Sequence, residues 1–135
     1  MGVRIVGAIL ETSDRRHIAL EVRGDGDTHA GCWGLIGGAV EPDETADDAI
    51  RREMDEETNI DFDGLGLRQL GALTIPAEVT GGDELAYTLF RGTAPQEPFL
   101  VRDAAGVVRV SPADALANGN LTPVARYILN IVYGE

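Results

Sequence analysis

The segment from Glu44 to Ile60 constrains this chain most, because two of its glutamates fall on the same side of one helix as its apolar residues. With about 100° per residue and Ala46 at zero, Ala49, Ile50 and Met54 fall at about 300°, 40° and 80° and define a core face. Asp48 and Asp55 fall at about 200° and 180°, on the water side, as solvated acids do. Glu53 and Glu57 fall at about 340° and 20°, inside the apolar stripe, with Glu56 at its edge near 280°.

Two carboxylates one turn apart repel, and turning them inward adds desolvation. The usual compensations are an Arg or a divalent cation. Arg52 lies one turn from Glu56 and is a candidate partner for it. One Arg against three glutamates leaves excess negative charge, and a hard cation with oxygen ligands, Mg²⁺ or Mn²⁺, is the natural remedy. His17 and His29 stand alone, so no Cys/His cluster favours zinc. The competing reading is a structural helix with a solvated acidic face, in which Glu53 and Glu57 are exposed and indifferent to metal.

Gly38-Ala39-Val40-Glu41-Pro42-Asp43-Glu44, followed by Arg52-Glu53-Met54-Asp55-Glu56-Glu57-Thr58-Asn59-Ile60, resembles the box of the Nudix hydrolase family. That box runs Gly, five residues, Glu, seven residues, Arg-Glu, an aliphatic, any residue, Glu-Glu, any residue, Gly, an aliphatic. Asn59 stands where the family has Gly; Asn is the next best residue for a left-handed helix end. The preceding Trp33-Gly34-Leu35-Ile36-Gly37-Gly38 is similar to the family's lead-in, with Ile36 in place of a common Pro.

The resemblance implies a magnesium-dependent pyrophosphohydrolase acting on a nucleoside diphosphate derivative, either a nucleoside triphosphate or a nucleotide sugar such as ADP-ribose, with release of a nucleoside monophosphate. It implies that Glu53, Glu56 and Glu57 bind metal and that Glu53 is the candidate base toward water. Arg52 would hold a glutamate through a charged hydrogen bond. The carbonyl of Gly37 or Gly38 would complete the metal shell, and Gly38 would let substrate phosphates approach. Glu44 is assigned a structural role, orienting the loop before the helix. A homodimer is allowed by the same resemblance, and a non-catalytic nucleotide sensor is the alternative within the family.

Outside the box the candidates are single residues. Arg23 ends a predicted strand, where similar proteins place an Arg near substrate phosphates. Trp33 is a candidate for stacking on a base, against a packing role. Glu97 and Asp103 are candidates for a further metal-binding acid in a late loop, with Asp103 the one retained. Tyr87 is assigned to packing. Pro76 resembles a mark of ADP-ribose-cleaving members.

Strands are expected over Val3–Leu10, His17–Arg23, Trp33–Val40, Leu67–Ile75, Glu84–Thr93 and Val107–Val110. Helices are expected from Asp43 to Thr58, from a Ser111 cap to Gly119, and from a Thr122 cap to Gly134. In the last, Val124, Tyr127, Ile128, Ile131 and Val132 form the predicted packed face. Strands in runs with few helices predict an α/β (α+β) fold, a mixed α/β sandwich more than a doubly wound sheet; the resemblance implies that it is a Nudix-type α/β/α sandwich with a mixed sheet. At 135 residues the chain fits one domain, 1–135. A net charge of −12, with every basic residue an Arg, argues against a nucleic-acid polymer as partner and leaves a small nucleotide. The single Cys32, the lack of a basic start before Ile5–Leu10 and the lack of a bilayer-length apolar run point to a cytoplasmic setting without membrane association.

Overall fold

The computed structural model describes residues 3–134. A seven-stranded mixed sheet is organised around β1 (Val3–Glu11). β1 is apolar on both faces, as a strand covered on both sides must be. Val6, Ala8 and Leu10 enter one core with Ala49, Ile50 and Met54 of α1 (Ala46–Glu57). Ile5 and Ile9 face the other core, with Ala115 of α3 (Pro112–Asn118) and Ala125, Ile128 and Leu129 of α4 (Pro123–Tyr133). The result is the expected α/β/α sandwich.

On one side β1 runs parallel to β6 (Leu85–Thr93), and β5 (Arg68–Ile75) lies antiparallel beyond it. On the other side β1 forks. Ile5–Ala8 pair with β4 (Ile36–Ala39), whereas Leu10 and Glu11 pair with β2 (Ile18–Val22). β2 also pairs with β3 (Trp33–Gly34) and β7 (Gly106–Val110). The stretch expected as one strand from Trp33 to Val40 is therefore two, divided at Leu35, because its halves answer to different partners.

Capping follows the residues. Ser111 and Thr122 accept hydrogen bonds from the backbone N–H groups of Asp114 and Ala125, with Pro at the first helical position. α1 begins at Ala46, later than Asp43, because Asp43 and Glu44 belong to a turn in which the Glu44 N–H donates to the Glu41 carbonyl. Thr45 is the cap, accepting from the Asp48 N–H at 3.1 Å. Two short turns were not anticipated: a 3-10 turn at Phe62–Leu65 and the one-turn α2 (Ala77–Thr80), capped by Pro76.

Two expectations are corrected. In α4, Ile131 is 60% exposed, and Ala125 and Leu129 are buried in its place beside Ile128; the helix is rotated so that its small residue meets the sheet. Asn59 does not take a left-handed conformation; among the described non-glycine residues only Arg15, His29 and Asp103 do. α1 instead ends by turning extended at Thr58, which bridges to Val101, while the Asn59 Oδ1 accepts from the Leu100 N–H at 2.9 Å. Long-range pairing replaces the local left-handed stop. Among the described residues no helix is long and apolar enough to cross a membrane.

Candidate active site

α1 packs on the sheet through Ala49, Ile50 and Met54, and this rotation buries Glu53 among them, 8% exposed. Glu57 is half-buried one turn on, and Asp48, Asp55 and Glu56 are exposed. The Glu53 carboxylate lies directly against Gly38 of β4, so closely that a Cβ at that position would overlap it. Burial pushes the Glu53 carboxyl above the ordinary range; Arg52 opposes this, and Glu57, Glu56 and Glu44 add to it.

Arg52 is the hub of the loop side. Its Nε and Nη2 donate to the two oxygens of Glu44 at 2.7 and 2.8 Å, a paired fork. Nη1 donates to Glu56 at 2.9 Å and Nη2 to the Ala39 carbonyl at 2.9 Å. Glu44 also accepts from the Glu41 N–H at 2.9 Å. The Arg52 hydrogen bonds, ahead of that backbone donor, hold the Glu44 carboxyl down at about 2. Glu44 and Arg52 thus clamp the β4–α1 loop to the helix, and the nearest approach of Arg52 to Glu53 is a looser 3.5 Å.

Glu53, Glu56 and Glu57 do not converge on one point. Among the described residues no three acidic, histidine or cysteine side chains form a preformed cage. Arg52 draws Glu56 to its own side, and like charge separates the others. The set is nonetheless all oxygen: a buried carboxylate with only a loose contact to Arg52, a half-buried carboxylate one turn away, and the neighbouring Gly37–Gly38 backbone. That chemistry suits a hard divalent cation.

Two cavities meet at Gly37. One, of about 260 Å³, is polar and brings together Glu57, Glu21, Arg23, Asp27, Arg102 and Asp103. The other, of about 240 Å³, runs past Arg23 and Gly38 to Tyr87 and the start of α4. Arg23, Leu35 and Gly37 line both. The Arg23 Nε is buried without a hydrogen bond; Asp27 lies 3.4 Å away in poor alignment. A larger cavity, about 490 Å³, lies at the Glu11 end of β1 and contains none of these groups.

The remaining candidates separate clearly. Asp103, in a left-handed backbone with its carbonyl packed against Gly24, lines the polar cavity with Glu57. Glu97 lines a different cavity with Asn59 and Phe99. Trp33 packs into the α4-side core and bridges to Leu121, lining neither cleft at Gly37. His17 and His29 are exposed.

Sequence reasoning missed Glu21. Burial pushes its carboxyl up to about 7, with Asp27 and Glu57 also raising it and Arg23 opposing. The signal was present: period two places Glu21 on the same face of β2 as Ala19, which packs on the α1 side.

Among solved structures, the protein DR0079 from Deinococcus radiodurans aligns with a TM-score of 0.80 at 22% identity, over 97% of this chain and 83% of that one. A MutT Nudix hydrolase from Burkholderia pseudomallei aligns with a TM-score of 0.72 at 24% identity, over 96% and 97%. A bifunctional NMN adenylyltransferase/ADP-ribose pyrophosphatase from Francisella tularensis, complexed with AMP and a Mn ion, aligns with a TM-score of 0.74 at 22% identity, over 98% of this chain and 41% of that one. A search of curated protein sequences gives no match. The Nudix domain model matches residues 1–130. With that match across the box helix and both layers around the sheet, the chain belongs to the Nudix family of pyrophosphate-bond hydrolases.

Proposed function

We propose that this protein is a Mg²⁺-dependent pyrophosphohydrolase that cleaves a nucleoside diphosphate linked to a further group, a triphosphate or a nucleotide sugar, and releases a nucleoside monophosphate. The observation that carries the reading is the Glu53 carboxylate, buried against Gly38 beside Glu57, its only cation among the described residues Arg52, which is 3.5 Å away and already committed to Glu44 and Glu56. A chain gains nothing in stability from that arrangement.

Glu53, Glu57 and the Gly37–Gly38 carbonyls would hold the metal, with Glu56 at the rim and Asp103 reaching in from the opposite wall. Bound there, a divalent ion neutralises phosphate oxygens and lowers the pKa of water. The chain's own groups supply the rest. Glu53, the buried carboxylate against Gly38, is the group placed to take a proton from the attacking water. Arg23, which lines both clefts, offers its guanidinium to a phosphate oxygen. Arg52 and Glu44 fix the loop that carries Gly38. The polar cleft would take the phosphates and the less polar one the nucleoside, in a single domain working in the cytoplasm.

Similar structures include an ADP-ribose pyrophosphatase and a dihydroneopterin triphosphate pyrophosphohydrolase, so the likeness favours neither substrate class. Turnover of nucleoside triphosphates, ADP-ribose and other nucleotide sugars with Mg²⁺ decides between them. Hydrolysis of one class that stops in Glu57→Gln supports the reading. Metal binding without turnover of any would overturn it in favour of a sensor.

A further inference from the structure

Tyr87 lies in β6 and is 5% exposed. Its ring crosses Gly7, where a Cβ would overlap the hydroxyl. The glycine thus makes room for the phenol to reach past β1 into the cleft beside Gly37, Gly38 and Arg23. Tyr87 lines that cleft, and its hydroxyl is not among the closed-off unpaired atoms of the described residues, so it is open to whatever fills the cleft. Burial pushes the phenol up, so it remains a neutral donor at neutral pH.

The walls around it narrow the choice of ligand group. Ile5, Leu35, Leu85 and Val124 are aliphatic, and Thr122 is the one hydroxyl residue. The Thr122 oxygen already accepts from the Ala125 N–H. A ribose in this slot would set several hydroxyls against mostly aliphatic side chains, with only Thr122 and Tyr87 to pair them. A flat base buries apolar faces and needs only its edge satisfied. The phosphates would then extend past Arg23 and Gly37 into the polar cleft.

We propose that the Tyr87 hydroxyl is a specificity-determining donor that binds a carbonyl or ring-nitrogen acceptor on the edge of the substrate's nucleobase. This rests on the nucleotide reading above and assigns one residue of the chain to base selection. Gly7 is its positioning residue.

The test is an NMR titration of the metal-free protein with AMP, GMP, CMP and UMP, for the wild type, Tyr87→Phe and Gly7→Ala. The wild type is expected to prefer one base. Tyr87→Phe, which keeps the ring, is expected to lose about 3- to 10-fold in affinity for that base and little for the others. Gly7→Ala should narrow the preference in the same way with Tyr87 still present. For a triphosphate that is turned over, KM should rise with kcat unchanged. Equal affinities in wild type and Tyr87→Phe, or no base preference in the wild type, would overturn the assignment. Selective binding without turnover would leave it standing while the hydrolase reading fails. Turnover with an unaltered Tyr87→Phe would do the reverse.

Discussion

The Arg52 guanidinium holds both oxygens of Glu44, at 2.7 and 2.8 Å, and so ties the start of the box loop to the middle of α1. The same guanidinium reaches the Ala39 carbonyl next to Gly38. A lysine cannot reproduce a planar fork. Arg52→Lys is therefore expected to lower kcat by about 10- to 100-fold, the range for groups that orient metal ligands. The fold should survive, because the clamp is only part-buried and neither Arg52 nor Glu44 belongs to the two hydrophobic cores. Steady-state kinetics beside a circular dichroism melt checks both.

Gly37 and Gly38 are adjacent but should fail differently. A Cβ at Gly38 meets the end of the Glu53 side chain, which can swing aside. A Cβ at Gly37 meets the Val6 carbonyl in the β1–β4 ladder, which cannot. Gly38→Ala should keep most of its stability and lose turnover. Gly37→Ala should lose about 2 kcal/mol or more in urea unfolding. Equal loss of stability in the two would contradict this.

Glu21 and Glu44 give opposite pH dependences in the metal-free protein. Burial holds Glu21 at about 7 against an ordinary 4.5, so in that window the folded state binds more protons than the unfolded chain. Stability therefore falls as pH rises from about 4.5 to about 7, then levels. Arg52 holds Glu44 at about 2, so its contribution is present above about 4.5 and is lost as pH falls toward 2. Glu21→Gln should raise Tm at pH 8 by roughly 3–6 °C and change it little at pH 4. A rise of equal size at both pH values would show that ionisation is not the cause.

Asn59 separates what was legible in the sequence from what was not. Helical periodicity is local, and it placed Glu53 and Glu57 inward and Asp48 and Asp55 outward, as found for burial along α1. Pro and hydroxyl caps are local too, and α3 and α4 start where they indicate. The end of α1 is decided by Val101 and Leu100, roughly forty residues away along the chain. Asn59→Gly should therefore destabilise by about 1 kcal/mol, through the lost hydrogen bond and a freer unfolded chain, where a left-handed stop would have been stabilised. Urea unfolding reads the sign.

The same limit explains the other misses. Tyr87 read as packing because its own strand is apolar; only the register of Gly7 opposite Leu89, with Gly37 on the far side, opens space for the hydroxyl. Glu21 reads as a strand surface residue until the β1 fork sets β2 beside Gly37. The rotation of α4 that exposes Ile131 depends on how α3 and α4 share one core.

Glu53→Gln tests the central claim most directly, because stability and chemistry should move in opposite directions on one variant. Replacing the buried carboxylate with an amide of the same shape should raise the Tm of the metal-free protein, since burial and Glu57 no longer oppose a charge there. Mg²⁺-dependent turnover of the preferred nucleotide should fall by about a hundredfold or more. A lower Tm with turnover unchanged would show instead that Glu53 is a structural acid and that the site works without it.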